Sequence, residues 1–243
     1  MKRRSIFIIG LILFVVSALP LFYMVREVLT KWIIDSQYSI KHAYKDDQGF
    51  STIIDAQNIE VNGLNIKIIE EPTGKKGSLT PWDKEEGVEA GEIVKIHLLL
   101  EGKEVTPANE IWLSNRERGS RYFSWLDILT VNKQIAIVQR LTDDDTPMED
   151  RLWKIIWIEK NGKTTEEHIS YKLRGENPLA VRLIDASGTD LMMMGYYSDI
   201  LTFYPSIFFP FMYPIGTGMS GIVICMIYLI QRRKQKTTND LLC

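Results

Sequence analysis

The chain has 243 residues, with 29 Lys and Arg against 31 Asp and Glu, a formal net charge of −2 and 45% hydrophobic residues. These averages are typical of a globular protein, but the apolar residues are concentrated in two uncharged segments, Ser5–Val25 and Ser206–Ile230. Each is long enough to cross about 30 Å of hydrocarbon as a helix, which takes about 20 residues. This distribution argues against a soluble cytosolic protein and, with only two such segments, against a multi-span transporter or channel.

The first predicted element is a transmembrane helix over residues 5–25, preceded by a basic cytoplasmic N-terminus, residues 1–4. The alternative is a cleaved signal peptide, because Val16-Ser17-Ala18 fits the small-residue pattern of a cleavage site. The apolar run continues past this site to Val25, however, and Pro20 would be the second residue after the cut. We therefore expect an uncleaved anchor.

A juxtamembrane helix is predicted next, over residues 26–45, as a continuation of the first span. Apolar residues and one serine recur there at helical spacing: Leu29, Trp32, Ile33, Ser36 and Ile40. Two interpretations stay open, a helix packed on its own domain and a helix that couples the domain to the membrane or lies on the membrane surface.

The strongest local signal in the chain is a β-hairpin at Asn62-Gly63. A two-residue turn of this composition tolerates positive φ at both positions. Such a turn pairs Val61 with Leu64 and Ile59 with Ile66. Apolar residues then face apolar residues, so the turn chemistry and the hydrophobic pattern predict the same register.

Further strands are predicted through most of the remaining chain, separated by polar turns. They are Glu92–Leu100, Glu110–Ser114, Tyr122–Val131, Gln134–Leu141, Arg151–Glu159, Lys163–Leu173, Leu179–Asp185 and Asp190–Phe203. About ten short strands with hairpin breaks indicate a mainly antiparallel domain, a sandwich or a barrel. The predicted fold class is therefore a membrane-anchored, mainly-β (β-rich α+β) protein, with two transmembrane helices flanking one β domain with a single core.

A long polar loop is predicted over Glu70–Glu92, rich in glycine and proline. Loops of this length are usually functional or disordered. Trp82 is a large aromatic residue in this polar context. It is a candidate contact for a partner, and the alternative is that it packs into its own domain.

The densest acidic run follows Leu141, and it contains four candidate metal ligands, Asp143, Asp145, Glu149 and Asp150. Calcium is bound by several carboxylates on one loop, usually with a glycine that lets the loop wrap. This run lacks the glycine and the EF-hand spacing, so a solvated hairpin loop is the alternative interpretation.

The second transmembrane helix is predicted over residues 206–230 and carries a face of small residues. Gly216 with Ser220, and Thr217 with Gly221, form pairs spaced four residues apart that let another helix approach closely. The partner is either the first span or another subunit.

Charge predicts the topology, because Lys and Arg close to a span stay on the cytoplasmic side. Lys2, Arg3 and Arg4 precede the first span, and Arg232, Arg233, Lys234 and Lys236 follow the second. Both termini, including the tail 231–243, are therefore expected in the cytoplasm of a bacterial cell, and the β domain, residues 46–205, outside its plasma membrane. Residues 27–205 carry 21 basic and 30 acidic side chains, which argues against nucleic-acid binding.

No catalytic pattern or cofactor motif stands out in the sequence. The three histidines, His42, His97 and His168, have no second ligand at zinc spacing, and the outer part of the chain has no cysteine. We expect no cofactor and a non-enzymatic accessory, sensor or assembly subunit that contacts the bilayer and an envelope or membrane protein, or a second copy of itself. The alternative function is a membrane-anchored surface enzyme, such as an envelope-polymer hydrolase.

Overall fold

The computed structural model describes residues 3–43, 58–77, 79, 84–113, 121, 122, 124–143, 145–189 and 208–240, with side chains from Arg4 to Gln235. The helices are α1 (Arg3–Gln37), α2 (Pro178–Ser187) and α3 (Thr217–Asp240). The strands are β1 (Ile40–His42), β2 (Asn58–Val61), β3 (Leu64–Lys76), β4 (Glu92–Leu100), β5 (Lys103–Glu104), β6 (Asn109–Trp112), β7 (Leu126–Val131), β8 (Gln134–Arg140), β9 (Leu152–Ile158) and β10 (Thr164–Ser170). Short 3₁₀ turns occupy Met148–Asp150 and Tyr171–Leu173.

The chain divides into two units. One contains Met1–Thr30 and Ser198–Cys243, and the other contains Lys31–Tyr197. In the first unit, α1 and α3 supply the two helices among the described residues that are long and apolar enough to cross a membrane. A π-helical segment, Phe211–Gly216, precedes α3 and is interrupted at Tyr213, where φ is −138° and ψ is 127°.

The juxtamembrane helix ends earlier than predicted. Helix α1 stops at Gln37, and residues 40–42 form β1, which pairs with β7. The β-branched Ile40 was assigned to the helix from its spacing, but pairing with Val131 places it in a sheet instead. The last turns of α1 still pack on the β domain: Ile34 is buried, and Asp35 accepts a hydrogen bond from Arg182 of α2 at 2.7 Å.

The predicted Asn62-Gly63 hairpin is confirmed. Both turn residues have positive φ, 53° at Asn62 and 79° at Gly63. The register pairs Val61 with Leu64 and Ile59 with Ile66, as predicted from the apolar pattern. Local turn chemistry and burial of one face were therefore enough to determine this part of the fold.

Two antiparallel five-stranded sheets form the β domain. Sheet A has the order β1-β7-β8-β9-β10, and sheet B has the order β2-β3-β4-β5 with β6 also paired to β4. Neither sheet closes on itself, so the barrel alternative is wrong and the architecture is layered.

The domain has two buried cores rather than the single core expected from sequence. The first lies between the sheets and joins residues such as Ile68 and Leu98 of sheet B to Ile128 and Ile137 of sheet A. The second lies between the opposite face of sheet A and α2. The central strands of sheet A, β7, β8 and β9, are largely buried on both faces, because their side chains alternate between the two cores.

The predicted strand Leu179–Asp185 is wrong, since these residues belong to α2. Asn177 caps the helix by accepting a hydrogen bond from the Ala180 amide, Pro178 occupies the first turn, and Gly188 ends the helix with φ of 69°. These are the end signals of a helix. Ala180, Val181, Leu183 and Ile184 form its buried face.

The loop predicted over Glu70–Glu92 is shorter in the structure, because β3 extends to Lys76. Pro72 and Gly74 suggested a break, but a register shift between Pro72 and Lys75 accommodates both within the strand. Trp82 and the predicted strand Asp190–Phe203 lie outside the described residues.

Candidate functional site

The two apolar helices pack against each other through glycine. A Cβ placed on Gly221 would lie 2.7 Å from the carbonyl oxygen of Gly10 and 2.7 Å from the amide nitrogen of Phe14. A Cβ on Gly218 would lie 2.8 Å from Leu21 and 3.2 Å from Ser17. At Gly221 only glycine permits this approach, because the nearby atoms belong to the backbone, whereas at Gly218 the nearest atom is the end of the Leu21 side chain, which can shift.

Side chains extend this contact in both directions along the helices. Ser17 and Thr217 share a hydrogen bond of 2.7 Å between their hydroxyl oxygens, and Ser17 is fully buried. The rings of Phe7 and Tyr228 have centroids 4.8 Å apart. Early residues of α1 thus meet late residues of α3, so the helices run antiparallel.

The four small residues singled out in the sequence occupy different environments. Thr217 and Gly221 face α1. Ser220 is exposed, and a Cβ on Gly216 would meet the carbonyl oxygen of Phe211 in its own chain segment. The sequence reasoning missed Gly218 and the α1 residues Gly10 and Ser17; the last two are seven residues apart, a spacing that places them on one helix face.

The acidic run is organised by contacts within the protein. Asp143 accepts hydrogen bonds from the amide and hydroxyl of Thr146 at 2.8 and 2.5 Å, and Asp150 pairs with Lys172 at 2.8 Å. Asp145 and Glu149 lie in the same loop. Within the described parts of the chain, no group of three or more His, Cys, Asp or Glu is placed to hold a metal ion.

A groove of about 310 Å³ opens on the α2 side of sheet A. It lies beside the first turn of α2, which contributes Leu179 to its lining. Eight of the described residues line it: Tyr38, Val131, Asn132, Gln134, Trp157, Glu159, Thr165 and Leu179. Four are apolar or aromatic, including Tyr38 and Trp157, which we call the aromatic walls, and four are polar. Mixed lining of this kind is typical of small-molecule sites.

Hydrogen bonds fix both aromatic walls of the groove. The indole N–H of Trp157 donates to Glu167 at 3.4 Å, and Glu167 also accepts from Asn177, the residue that caps α2. On the other side, the Asn132 side chain accepts from the Ser39 amide at 2.8 Å and donates to the Gln37 carbonyl at 3.1 Å. Tyr38 lies between these two anchored residues, so its backbone position is fixed.

Sequence reasoning did not find this groove. Tyr38 was assigned to a helix and Leu179 to a strand, and the other lining residues carry no local motif. The signals that could have located one wall are Asn177 and Pro178, which mark the beginning of α2 and hence the end of the helical cover.

Several charged side chains are buried in the β domain. Lys154 on β9 is 1% exposed, and its Nζ donates to Thr106 Oγ1 at 2.9 Å and toward the Pro107 carbonyl at 3.5 Å. Burial lowers the pKa of this amine. The ammonium thereby connects sheet A to the segment between β5 and β6.

A second buried pair joins β1 to β7. Nδ1 of His42 lies 2.7 Å from Oδ2 of Asp127, a carboxylate that also accepts from the Ile128 amide. Burial raises the pKa of Asp127, while the hydrogen bond and charge of His42 act in the opposite direction. The pair secures the short strand β1 to the sheet.

Two charged clusters involve residues of sheet B, one on its outer face at His97 and one at the partly buried Glu70. His97 lies between Glu104, at 2.8 Å from Nδ1, and Glu71, at 3.2 Å from Nε2, and both contacts raise the pKa of His97. Glu70 accepts two hydrogen bonds of 2.6 Å from Arg121 and one of 2.7 Å from Tyr122. The Arg121 bonds lower the pKa of Glu70 most, against the effect of partial burial.

No protein-family model, curated protein or solved structure matches the chain. The geometry of its own residues is therefore the basis for a function.

Proposed function

We propose that the chain is a two-span plasma-membrane protein whose β domain stands outside the cell and binds another envelope or membrane component. It acts as a non-enzymatic accessory, sensor or assembly subunit. In this arrangement the helical pair is the anchor and the β domain is the binding module.

The observation that carries this proposal is the antiparallel packing of α1 on α3. Phe7, close after Arg4, packs against Tyr228, close before Arg232. The basic flanks of the two helices thus lie at the same end of the pair. Because basic residues near spans stay in the cytoplasm, this supports a topology with both termini inside.

Exposed apolar side chains on both helices support an environment of lipid. On α1 they include Ile8, Ile12, Val15, Leu19 and Phe22, and on α3 they include Val223, Met226, Ile227 and Ile230. Side chains of this type are costly to leave in water, at roughly 25 cal/mol per Å² of apolar surface.

Accessibility to a membrane-impermeant maleimide tests the topology. In a Cys225→Ala background, Asn161→Cys combined with Cys243→Ser should be labelled in intact cells, because Asn161 lies in an exposed turn. The matched protein that keeps Cys243 as its one cysteine should be labelled only after permeabilisation. Labelling in the opposite order would contradict the proposal.

A second experiment tests binding. Intact cells treated with an impermeant, cleavable cross-linker should yield, after purification in mild detergent, an envelope or membrane component joined to the β domain. The same purification without cross-linker is the control. Recovery of the chain alone in both samples would oppose a binding role.

The enzymatic alternative remains a prediction without a supporting observation. Hydrolysis of a glycosidic bond generally uses two carboxyl groups across the scissile bond. Among the described residues that line the groove, Glu159 is the one carboxylate.

A further inference from the structure

We propose that the groove beside α2 binds a neutral saccharide unit of an envelope glycan. This inference rests on the proposed function, because it names the component that the β domain contacts. Four features carry it: the aromatic walls, the unsatisfied polar side chains, the charge of the lining and the hydrogen bonds that position the walls.

The aromatic walls suit the faces of a sugar ring. Trp157 and Tyr38 are both partly exposed and line the same groove. Aromatic side chains offer large apolar faces together with a polar edge. A pyranose ring has a matching character, since its C–H bonds form apolar patches while its hydroxyl groups project around the rim.

The polar side chains of the rim have hydrogen-bonding capacity to spare. Within the described chain, the side-chain amide of Gln134 and the hydroxyl groups of Thr165 and Tyr38 make no hydrogen bond. Gln134 and Thr165 are also exposed. An amide and two hydroxyls supply donors and acceptors together. Sugar hydroxyls also both donate and accept, so this set fits them better than it fits a purely donating or accepting ligand.

The charge of the lining favours a neutral ligand. Glu159 lines the groove, and none of the other seven lining residues within the described part of the chain is charged. One oxygen of Glu159 accepts from Asn161 at 3.2 Å, so the carboxylate is held in place. A phosphate or uronate would meet the like charge of Glu159 here, and like charges repel in a partly desolvated site.

Hydrogen bonds within the protein position the Trp157 ring and the backbone on either side of Tyr38. The bonds from Asn177 through Glu167 to Trp157 hold one wall, and Asn132 holds the backbone on either side of Tyr38. A fixed geometry lowers the ordering cost of binding. Preorganisation matters for sugars, whose hydroxyls are well solvated in water and give up that solvation on binding.

Calorimetry with full-length protein in detergent tests the inference. The probes are three neutral tetrasaccharides, of β1-4 N-acetylglucosamine, β1-4 glucose and α1-4 glucose. At least one should bind with a dissociation constant at or below the millimolar range. Gln134→Ala should weaken that binding by about threefold to tenfold, the value of one hydrogen bond.

Matched variants separate the groove from the rest of the domain. Trp157→Ala should abolish measurable binding, while Trp157→Phe should retain part of it because the aromatic face remains. Lys133 lies in the exposed turn next to Gln134 but is not among the lining residues. The Lys133→Ala variant should therefore bind the saccharide as the unaltered protein does. Circular dichroism and melting of each variant establish that it is folded.

Three outcomes would overturn the inference. The first is that none of the three probes binds at tens of millimolar saccharide. The second is that the folded Gln134→Ala and Trp157→Phe variants both bind as tightly as the unaltered protein. The third is that a tetragalacturonate binds more tightly than any neutral probe. None of them bears on the maleimide labelling, so the topology and partner experiments would still decide the proposed function separately.

Discussion

Gly221 lies directly against the backbone of Gly10, so close that a β-carbon on Gly221 would fall 2.7 Å from the Gly10 carbonyl oxygen. Helices that lack a hydrophobic force between them, as in lipid, associate through this kind of close approach. On the other helix, a Cβ on Gly10 would lie 2.7 Å from Cγ2 of Ile224 and 3.1 Å from the sulfur of Cys225.

This proximity predicts an engineered disulfide. Gly10→Cys, in a Cys243→Ser background, should cross-link to Cys225 on mild oxidation after Ile224 shifts slightly. Non-reducing electrophoresis and mass spectrometry of the peptides measure it. Leu11→Cys is the matched control, since Leu11 is exposed on the adjacent position and should remain reduced.

The same cross-linking assay tests which face of α3 contacts α1. Gly221→Leu in the Gly10→Cys protein should reduce cross-linking strongly, because the larger side chain would overlap the Gly10 and Phe14 backbone. Ser220→Leu should leave it unchanged, since Ser220 is exposed. Equal yields from the two leucine variants would argue against this interface.

The hairpin turn gives a prediction about backbone strain. Gly63 has φ of 79°, and no atom lies within 4 Å of a Cβ built there. Gly63→Val should therefore destabilise the β domain through backbone strain alone, by about 1–3 kcal/mol. Gly63→Asn should cost much less, because asparagine tolerates left-handed backbone. Thermal unfolding of the two variants should differ, and identical midpoints would mean that φ is not the cause.

We expect the contribution of His97 to stability to depend on pH and to be lost above the ordinary pKa of histidine. Its pKa is raised from 6.5 by Glu104 and Glu71, so the folded state holds the proton more tightly than the unfolded state. The contribution to stability is complete below pH 6.5 and is lost as the pH rises through the folded pKa. Denaturant midpoints of the unaltered protein and His97→Gln should therefore differ more at pH 6 than at pH 9.

Glu70 should show the opposite pH dependence of stability and serves as a control for His97. Its pKa is lowered from 4.5, mainly by the hydrogen bonds from Arg121. The stability that it contributes is present above pH 4.5 and is lost as the pH falls through the folded pKa. Glu70→Gln should differ from the unaltered protein most at neutral pH, and a constant difference across the acid range would contradict this assignment.

Lys154 and Thr106 predict coupling across the sandwich. Thr106→Val removes the hydroxyl that accepts from the buried ammonium, which should cost about 1–3 kcal/mol. In Lys154→Met the threonine loses its charged neighbour instead. The double variant should be less unstable than the sum of the two single changes, because the residues share one interaction. Additive effects in chemical denaturation would show that the bond contributes little.

Much of the β domain could be predicted because its determinants are local. The Asn62-Gly63 turn and the alternation in β4 report directly on backbone conformation and burial. The segment Leu179–Asp185 was wrongly predicted as a strand because a short apolar run fits either a strand or the buried face of a helix. Only the flanking Asn177 and Gly188 distinguish the helix from the strand.

The groove and the inter-helix contact could not be predicted in the same way. Tyr38, Val131 and Trp157 are far apart in sequence, and only the pairing of β1 with β7 and of β8 with β9 brings them together. Small residues on α3 indicated a packing face, but the choice between Gly218 and Ser220 depends on the rotation of the helix against α1, which no single-helix pattern determines.

The pairing of β1 also has a consequence in time. Ser39, next to this strand, bonds to Asn132, a residue 93 positions later in the chain. At a synthesis rate of about 5–20 residues per second, roughly five to twenty seconds pass before the ribosome delivers that partner. Throughout this interval Ile40–His42 has no β7 strand on which to pair. The strand that follows α1 can therefore pair in sheet A only late during translation, after the residues of β2 and β3 have been synthesised.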